Sequence, residues 1–286
     1  PFAEATCPGL PWGLSRIDQP NLPLDKKYNP PGTGKGVHIY VLDTGINPHS
    51  DFQGRLGEGV NCVNGGCKSG STNDVVGHGT HVAGTAAGTC YGVAKKAIIN
   101  PVKVLGDNGS GSYSGIISGI RWATDNAKAN KWRGVINMSL GGGSSSSLNA
   151  AVQTAVNQGM VVAVAAGNDR AANACTKSPA SAPPALTVAS VTSKDTASSF
   201  SNVGSCVDIW APGDRIASAN SADYNGYTFL SGTSMATPHV AGAAAIVLER
   251  NSRASPDQVA QTLARVSVKR NLYPGTTQNL LQVRGL

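Results

Sequence analysis

Gly232-Thr233-Ser234-Met235 leads into the almost wholly apolar stretch 240–248, which places a serine where a Gly-Thr turn opens a core helix. A helix N-terminus leaves backbone N–H groups unpaired and carries partial positive charge, so an oxyanion forming beside Ser234 would meet donors already aimed at it. Pro238, about one turn in, lacks an N–H and marks this start as unusual. A serine hydroxyl is a weak nucleophile at neutral pH; it needs a base within hydrogen-bond reach, and that base needs a carboxylate to orient it. His78, in Gly77-His78-Gly79-Thr80-His81, and Asp43, in Asp43-Thr44-Gly45, can fill those roles. Asn168, in Ala165-Ala166-Gly167-Asn168, can add its amide donor to the Ser234 N–H and complete an oxyanion hole. Taken singly, Ser234 and His78 read as helix caps and Asp43 and Asn168 as turn formers. Their combination carries the chemistry.

Short, β-branched, apolar runs at 36–42, 98–105, 134–138, 160–165, 186–191 and 207–210 suit strands buried on both faces. Helical patterns fall at 78–88, 113–129, 147–158, 234–250 and 256–266, the last behind a Ser255 cap. The alternation predicts an α/β fold, a mostly parallel sheet flanked by helices. Ligands of such folds bind beyond the carboxyl ends of the strands, and Asp43-Thr44-Gly45, Ser139-Leu140-Gly141 and Gly167-Asn168 all stand just past a run.

The chain has 286 residues with 14% charged residues and 35 glycines, which fits one loop-rich domain with a large core. Its net charge of +7 comes from scattered pairs such as Lys26-Lys27 and Lys269-Arg270, with only 5% aromatics, and this argues against nucleic-acid binding. No apolar run approaches the roughly 20 residues of a membrane helix. The start, 1–4, has neither an initiator Met nor a signal-peptide core, as expected of a mature form after processing. Six cysteines without C-x-x-C spacing predict disulfides and an oxidising, extracellular compartment. About 15 pairings are open. Cys62 and Cys67 could close a small turn, and a Cys175–Cys206 bridge would contribute about 3 kcal/mol, while a Cys7–Cys90 pairing stays undecided.

Asp43-Thr-Gly-Ile, His78-Gly-Thr-His-Val-Ala-Gly, Ser139-Leu-Gly-Gly-Gly, Ala165-Ala-Gly-Asn and Gly232-Thr-Ser-Met-Ala-Thr-Pro-His-Val-Ala-Gly resemble the signature segments of the subtilisin-like serine proteases, in the same Asp, His, Ser order. Pro11-Trp-Gly-Leu-Ser-Arg-Ile-Asp-Gln, Tyr91-Gly-Val-Ala-Lys and Asn108-Gly-Ser-Gly narrow the likeness to the proteinase K branch and its aqualysin group. The resemblance runs from about residue 11 to 248. It implies a doubly wound subtilisin-like fold and a single catalytic domain, 1–286, freed of its pro-segment. It also implies a secreted, monomeric endopeptidase, with Ser234 as nucleophile, His78 as base then acid, Asp43 orienting it, and Asn168 with the Ser234 N–H as oxyanion hole. A protein or peptide substrate would lie as an added strand between Gly109, Ser110, Gly111 and Ser139, Leu140, Gly141. Ala165, Ala166 and Gly167 would line the pocket for the residue before the scissile bond, and Tyr113 would cover a more distant one. Small walls without an acid predict a broad apolar and aromatic preference. The enzyme's own pro-segment would be a transient inhibitor and folding aid.

By the same resemblance a structural Ca²⁺ would be held by Asp208 and the carbonyls of Pro183 and Ala185. A second family site matches at Asp18, Gln19 and Asp25, but Ser15 replaces an acid there. A Cys175–Cys206 bridge is implied. Val76 and Asp107 stand where the aqualysin group has another bridge, so Cys7, Cys62, Cys67 and Cys90 must pair differently.

Other chemistries fit less well. An aspartic protease would need a second Asp-Thr/Ser-Gly or a symmetric dimer, and Asp195-Thr196-Ala197 does not qualify. Gly32-Thr-Gly-Lys-Gly36 lacks the Ser/Thr of a P-loop, and His78 with His81 lacks further zinc ligands. A secreted binding protein on a protease scaffold is opposed by the intact Asp43, His78, Asn168 and Ser234.

Overall fold

The computed structural model describes residues 7–286, so the 1–4 segment lies outside the described residues. The elements run α1 (Trp12–Ile17), β1 (Val37–Asp43), β2 (Val60–Asn61), α2 (His78–Ala87), β3 (Ile98–Lys103), α3 (Tyr113–Asn130), β4 (Arg133–Met138), β5 (Gly142–Gly143), α4 (Ser146–Asn157) and β6 (Val161–Ala165). Then follow β7 (Lys177–Ser178), β8 (Leu186–Val191), β9 (Ile209–Pro212), β10 (Ile216–Ala219), β11 (Tyr227–Leu230), α5 (Thr233–Arg250), α6 (Pro256–Val266), β12 (Val268–Lys269) and β13 (Asn279–Leu280).

One nine-stranded sheet has the order β12-β13-β9-β8-β6-β4-β1-β3-β2, parallel except for the β12–β13 pair. Two small antiparallel pairs, β10–β11 and β5–β7, lie outside it. Strand order reverses around β1, with β3 and β2 on one side and β4 and the later strands on the other. Connections leave a reversal point in opposite directions, which opens a crevice at the carboxyl ends of the strands.

Because successive strand residues point to opposite faces, β1 feeds two cores. Val37, Ile39 and Val41 join α2 and α5 in one cluster, while Tyr40 and Leu42 join α3 and α4 in the other. This two-sided burial is why the strands read as nearly continuous apolar runs. Within α5 every residue from Met235 to Leu248 is buried, and its small side chains allow close approach. A Cβ on Gly242 would stand 2.7 Å from the Ala86 carbonyl oxygen of α2.

The 36–42 run forms one residue later than expected, so Asp43 ends β1 inside the ladder, and the 207–210 run moves to Ile209–Pro212. α1, β2, the β10–β11 pair and the β12–β13 pair were not anticipated. α1 has six residues and is held by tertiary burial of Leu14 and Ile17, which propensity does not register. The disulfides are Cys7–Cys90, Cys62–Cys67 and Cys175–Cys206. In place of a further bridge, Asp107 pairs with Lys103 at 3.0 Å, and Val76 is exposed on the crevice wall.

Candidate active site

Asp43, fully buried at the end of β1, accepts on Oδ1 the His78 Nδ1–H and the Thr44 N–H, both at 2.7 Å. His78 opens α2 and keeps 27% of its side chain exposed. The bond to Asp43 fixes the tautomer, so Nε2 carries the available lone pair. Burial disfavours the imidazolium, but the Asp43 charge and hydrogen bond, with a smaller contribution from Asp74, outweigh it and raise the His78 pKa above its ordinary value. Gly77 caps α2 at φ +93° and has no side chain to offer. Asp74 supplies the missing cap, accepting from Gly77 N and Thr80 N at 2.8 Å each. A Cβ on Gly79 would stand 2.1 Å from the Gly45 carbonyl oxygen, so only glycine lets α2 approach the end of β1 this closely.

On the opposite wall Ser234, the second residue of α5, exchanges hydrogen bonds with Ser139, which follows β4. Ser234 Oγ donates to the Ser139 carbonyl at 3.2 Å, and Ser139 Oγ donates to the Ser234 carbonyl at 2.7 Å. Pro238 explains the exchange: as the residue four positions on, it has no N–H for the Ser234 carbonyl, which is thereby free for Ser139. Asn137 Nδ2 in turn donates to Ser139 Oγ at 3.0 Å. Among the described residues no hydrogen bond joins Ser234 Oγ to His78 Nε2; such bonds are often long without substrate and tighten on binding. Asn168 Oδ1 accepts from Thr233 N at 2.8 Å and Thr233 Oγ1 at 3.0 Å. Its Nδ2 lies near the Ser234 nitrogen, since a methyl group on Gly232 would be 3.7 Å from the first and 3.6 Å from the second, and both residues line one cavity.

These residues line two adjoining cavities that share Leu140, Gly141 and Gly142. His78 is in the first with Gly109, Ser110, Gly111, Tyr113 and Ser139, and Ser234 is in the second with Ala165, Ala166, Gly167 and Asn168. The structure therefore assembles every residue expected at a peptide cleft, with Asp43 directly behind. One expectation fails: the second cavity does hold an acid, Asp169. It is bound by Asn202 Nδ2 at 2.9 Å and by Lys177 Nζ at 3.2 Å, and these bonds hold its carboxyl below the usual range. Lys177 enters from β7, eight residues along the chain, a pairing that no local spacing signals.

The Subtilase family profile matches residues 34–283. The chain belongs to the subtilase family. An extracellular serine proteinase of Thermus sp. (strain Rt41A) is 52% identical over 253 residues, covering 88% of this chain and 60% of the relative. Alkaline serine exoprotease A of Vibrio alginolyticus is 51% identical over 259 residues, covering 90% and 47%. The chain thus spans only about half the length of these relatives. The crystal structure of a cold-adapted subtilisin-like serine proteinase matches with a TM-score of 0.91 at 47% identity, covering 97% of this chain and 100% of that one. The fold is therefore the subtilisin-like one.

The remaining candidates in this subtilase lie away from the cleft. Asp208 precedes β9 and accepts Thr187 N–H on Oδ2 at 2.8 Å, while burial raises its pKa to about 6. Ser15 Oγ lies 3.2 Å from Asp25 Oδ1 and 3.4 Å from Gln19 Oε1 and can give its one proton to either, so a neutral hydroxyl stands where an acid would have offered oxygens to a cation. His81 turns from His78 and donates from Nε2 to the carbonyls of Ile216 and Thr228, at 2.9 and 3.2 Å. Among the described residues no three His, Cys, Asp or Glu side chains group as a metal site.

Proposed function

We propose that this subtilase is a secreted serine endopeptidase acting through Asp43, His78 and Ser234. His78 Nε2 takes the Ser234 proton as Oγ attacks the scissile carbonyl, and the imidazolium then protonates the leaving amine, so the acyl group stays on Ser234 until water repeats the sequence. Asp43 holds the tautomer and stabilises the imidazolium. The observation that carries this reading is the 2.7 Å His78–Asp43 hydrogen bond beside a cavity lined by both Ser234 and Asn168, whose nitrogens are the donors an oxyanion on Ser234 would need. A fluorophosphonate should label Ser234 alone and abolish hydrolysis of casein. Labelling elsewhere, or hydrolysis blocked by pepstatin instead, would remove the triad.

The substrate would lie across 109–111 and 139–141 as an added strand. Alanine and glycine form half of the second cavity's lining, and its single acid is already paired, which favours apolar and aromatic residues before the scissile bond. A peptide-library cleavage profile tests this, and Lys177→Met, by uncovering Asp169, should raise cleavage after Lys and Arg about 3- to 10-fold. The Thermus relative is described as extracellular, which together with three disulfides supports secretion. The working enzyme is a monomer, and its own pro-segment acts as transient inhibitor and folding aid; an added pro-segment peptide should inhibit it.

The Asp208 site fits a structural Ca²⁺. It offers a partly buried carboxylate with no ion-pair partner among the described residues, bound to the N–H of Thr187, two residues after Ala185. A bound cation would offset the unfavourable burial of the ionised carboxylate. With its pKa raised to about 6, ionised Asp208 costs stability as pH rises from 3.8 through 6. EDTA should therefore shorten the thermal half-life most above pH 6. Equal half-lives with and without EDTA would dismiss the ion.

A further inference from the structure

Asp74 lies four residues before His78 and is only 2% exposed. Its carboxylate accepts four hydrogen bonds: Oδ1 from Thr44 Oγ1 at 2.7 Å and Gly77 N at 2.8 Å, and Oδ2 from Thr80 N at 2.8 Å and Thr80 Oγ1 at 2.7 Å. Such a set makes a buried carboxylate tolerable. The bonds to Gly77 and Thr80 complete the helix cap, but a cap does not require the bond to Thr44.

Thr44 joins the two members of the acid–base pair. Its N–H donates to Asp43 Oδ1, and its hydroxyl accepts from Gly79 N at 2.9 Å, next to His78. A hydroxyl has one proton, and Asp74 takes it, which turns the oxygen lone pairs toward Gly79. Asp74 thus sets the direction of the group that links the end of β1 to the first turn of α2. It also adds a second negative charge beside the imidazole. The other titratable or charged groups around His78 are Asp43 from β1, His81 from α2, and Lys103 from β3, whose Nζ donates to the Thr44 carbonyl. His81 is neutral near pH 7, because burial lowers its pKa to about 4.

We propose that Asp74 is a positioning residue for the reaction: through Thr44 and the start of α2 it holds His78 against Asp43, and its charge stabilises the imidazolium. The proposal rests on the protease reading above and deepens it. NMR titration of the His78 ring in Ser234→Ala protein gives a readout independent of turnover and free of self-digestion. Adding Asp74→Asn should lower the His78 pKa by about half a unit to one unit. In protein that keeps Ser234, Asp74→Asn should reduce kcat about 10- to 100-fold with KM little changed, and move the acid limb of kcat/KM to lower pH. An unchanged His78 pKa in folded Asp74→Asn protein would overturn the electrostatic role and leave a helix cap. If that variant does not fold, Thr44→Val keeps the carboxylate and removes the link. It should lower kcat while leaving the His78 pKa in place, and an unchanged kcat would overturn the positioning role. If the His78 pKa falls with Asp74→Asn yet the native chain cleaves no peptide, the protease reading fails and the electrostatic role stands.

Discussion

Between β1 and α2 the cleft is held by buried carboxylates: Asp43 and Asp74 gather N–H and O–H donors from Thr44, Gly77, His78 and Thr80. Across the cleft, Ser234 and Asn168 are held by hydroxyls, an amide and backbone groups from Ser139, Asn137 and Thr233, with no ionised group among these contacts. The difference separates two functions. On the proposed mechanism, charge on the first wall would set when the histidine can carry a proton, whereas geometry on the second wall would set where the nucleophile and donors sit. The pH dependence of turnover should therefore originate on the first wall.

Ser234→Ala should remove turnover almost entirely, with kcat falling ~10⁶-fold, the size found in subtilisin, a family relative. Asp43→Asn should cost about 10⁴-fold by favouring the wrong His78 tautomer, and its loss should vary with pH. Asn168→Ala tests the contrast most directly. Its loss of about 10²- to 10³-fold in kcat, again the size found in subtilisin, should be the same at every pH. A loss that changed with pH would break the division between the walls. In the parent enzyme kcat/KM should rise with pH through a midpoint above 6.5, because the raised His78 pKa keeps the base protonated longer. A midpoint below 6.5 would contradict the electrostatics of the first wall. The smallest effect is expected for Ser139→Ala, which strands the Ser234 carbonyl and Asn137 Nδ2 at about 1–3 kcal/mol of stability, read from denaturant unfolding.

Stability follows a separate pH rule. Burial lowers the pKa of His81 and of His239 to about 4. Below pH 6.5 these histidines bind protons in the unfolded chain that the folded chain refuses, so their contribution to stability falls from 6.5 toward 4, by at most on the order of 3 kcal/mol per histidine. Acid unfolding of His239→Gln should be correspondingly shallower.

Much of this was legible from residue types alone. Asp43 and Asn168 stand just past apolar strand runs, and His78 and Ser234 open helical ones, so the strand-end rule gathers the first two and the helix-start pattern the others without knowledge of the packing. The Ser255 cap likewise placed α6 at its observed bounds. Asp74 was not legible, because a single acid in a polar loop looks the same whether it caps a helix, orients a neighbour or faces solvent. Pro238 showed as an irregularity, but its effect needs Ser139, which is distant in sequence and adjacent only because α5 packs against β4. The Asp169–Lys177 pair was hidden because eight residues of mostly irregular chain separate the two, with no regular spacing to signal the contact. The β10–β11 pair escaped because β11 exposes Tyr227 and Phe229 and shows no clear buried face.

The Ser234 hydroxyl rests on a carbonyl of the strip proposed to bind peptide backbone. On the proposed mechanism, a substrate N–H arriving at that carbonyl would compete for the oxygen that keeps the hydroxyl parked and leave its proton to be taken by His78. Docking of the peptide and arming of the proposed nucleophile would then be a single event. A small electrophile that never touches 139–141 meets a serine whose hydrogen is still engaged, so this enzyme should discriminate by reach: slow toward short reagents, fast toward those long enough to lay a backbone along the strip.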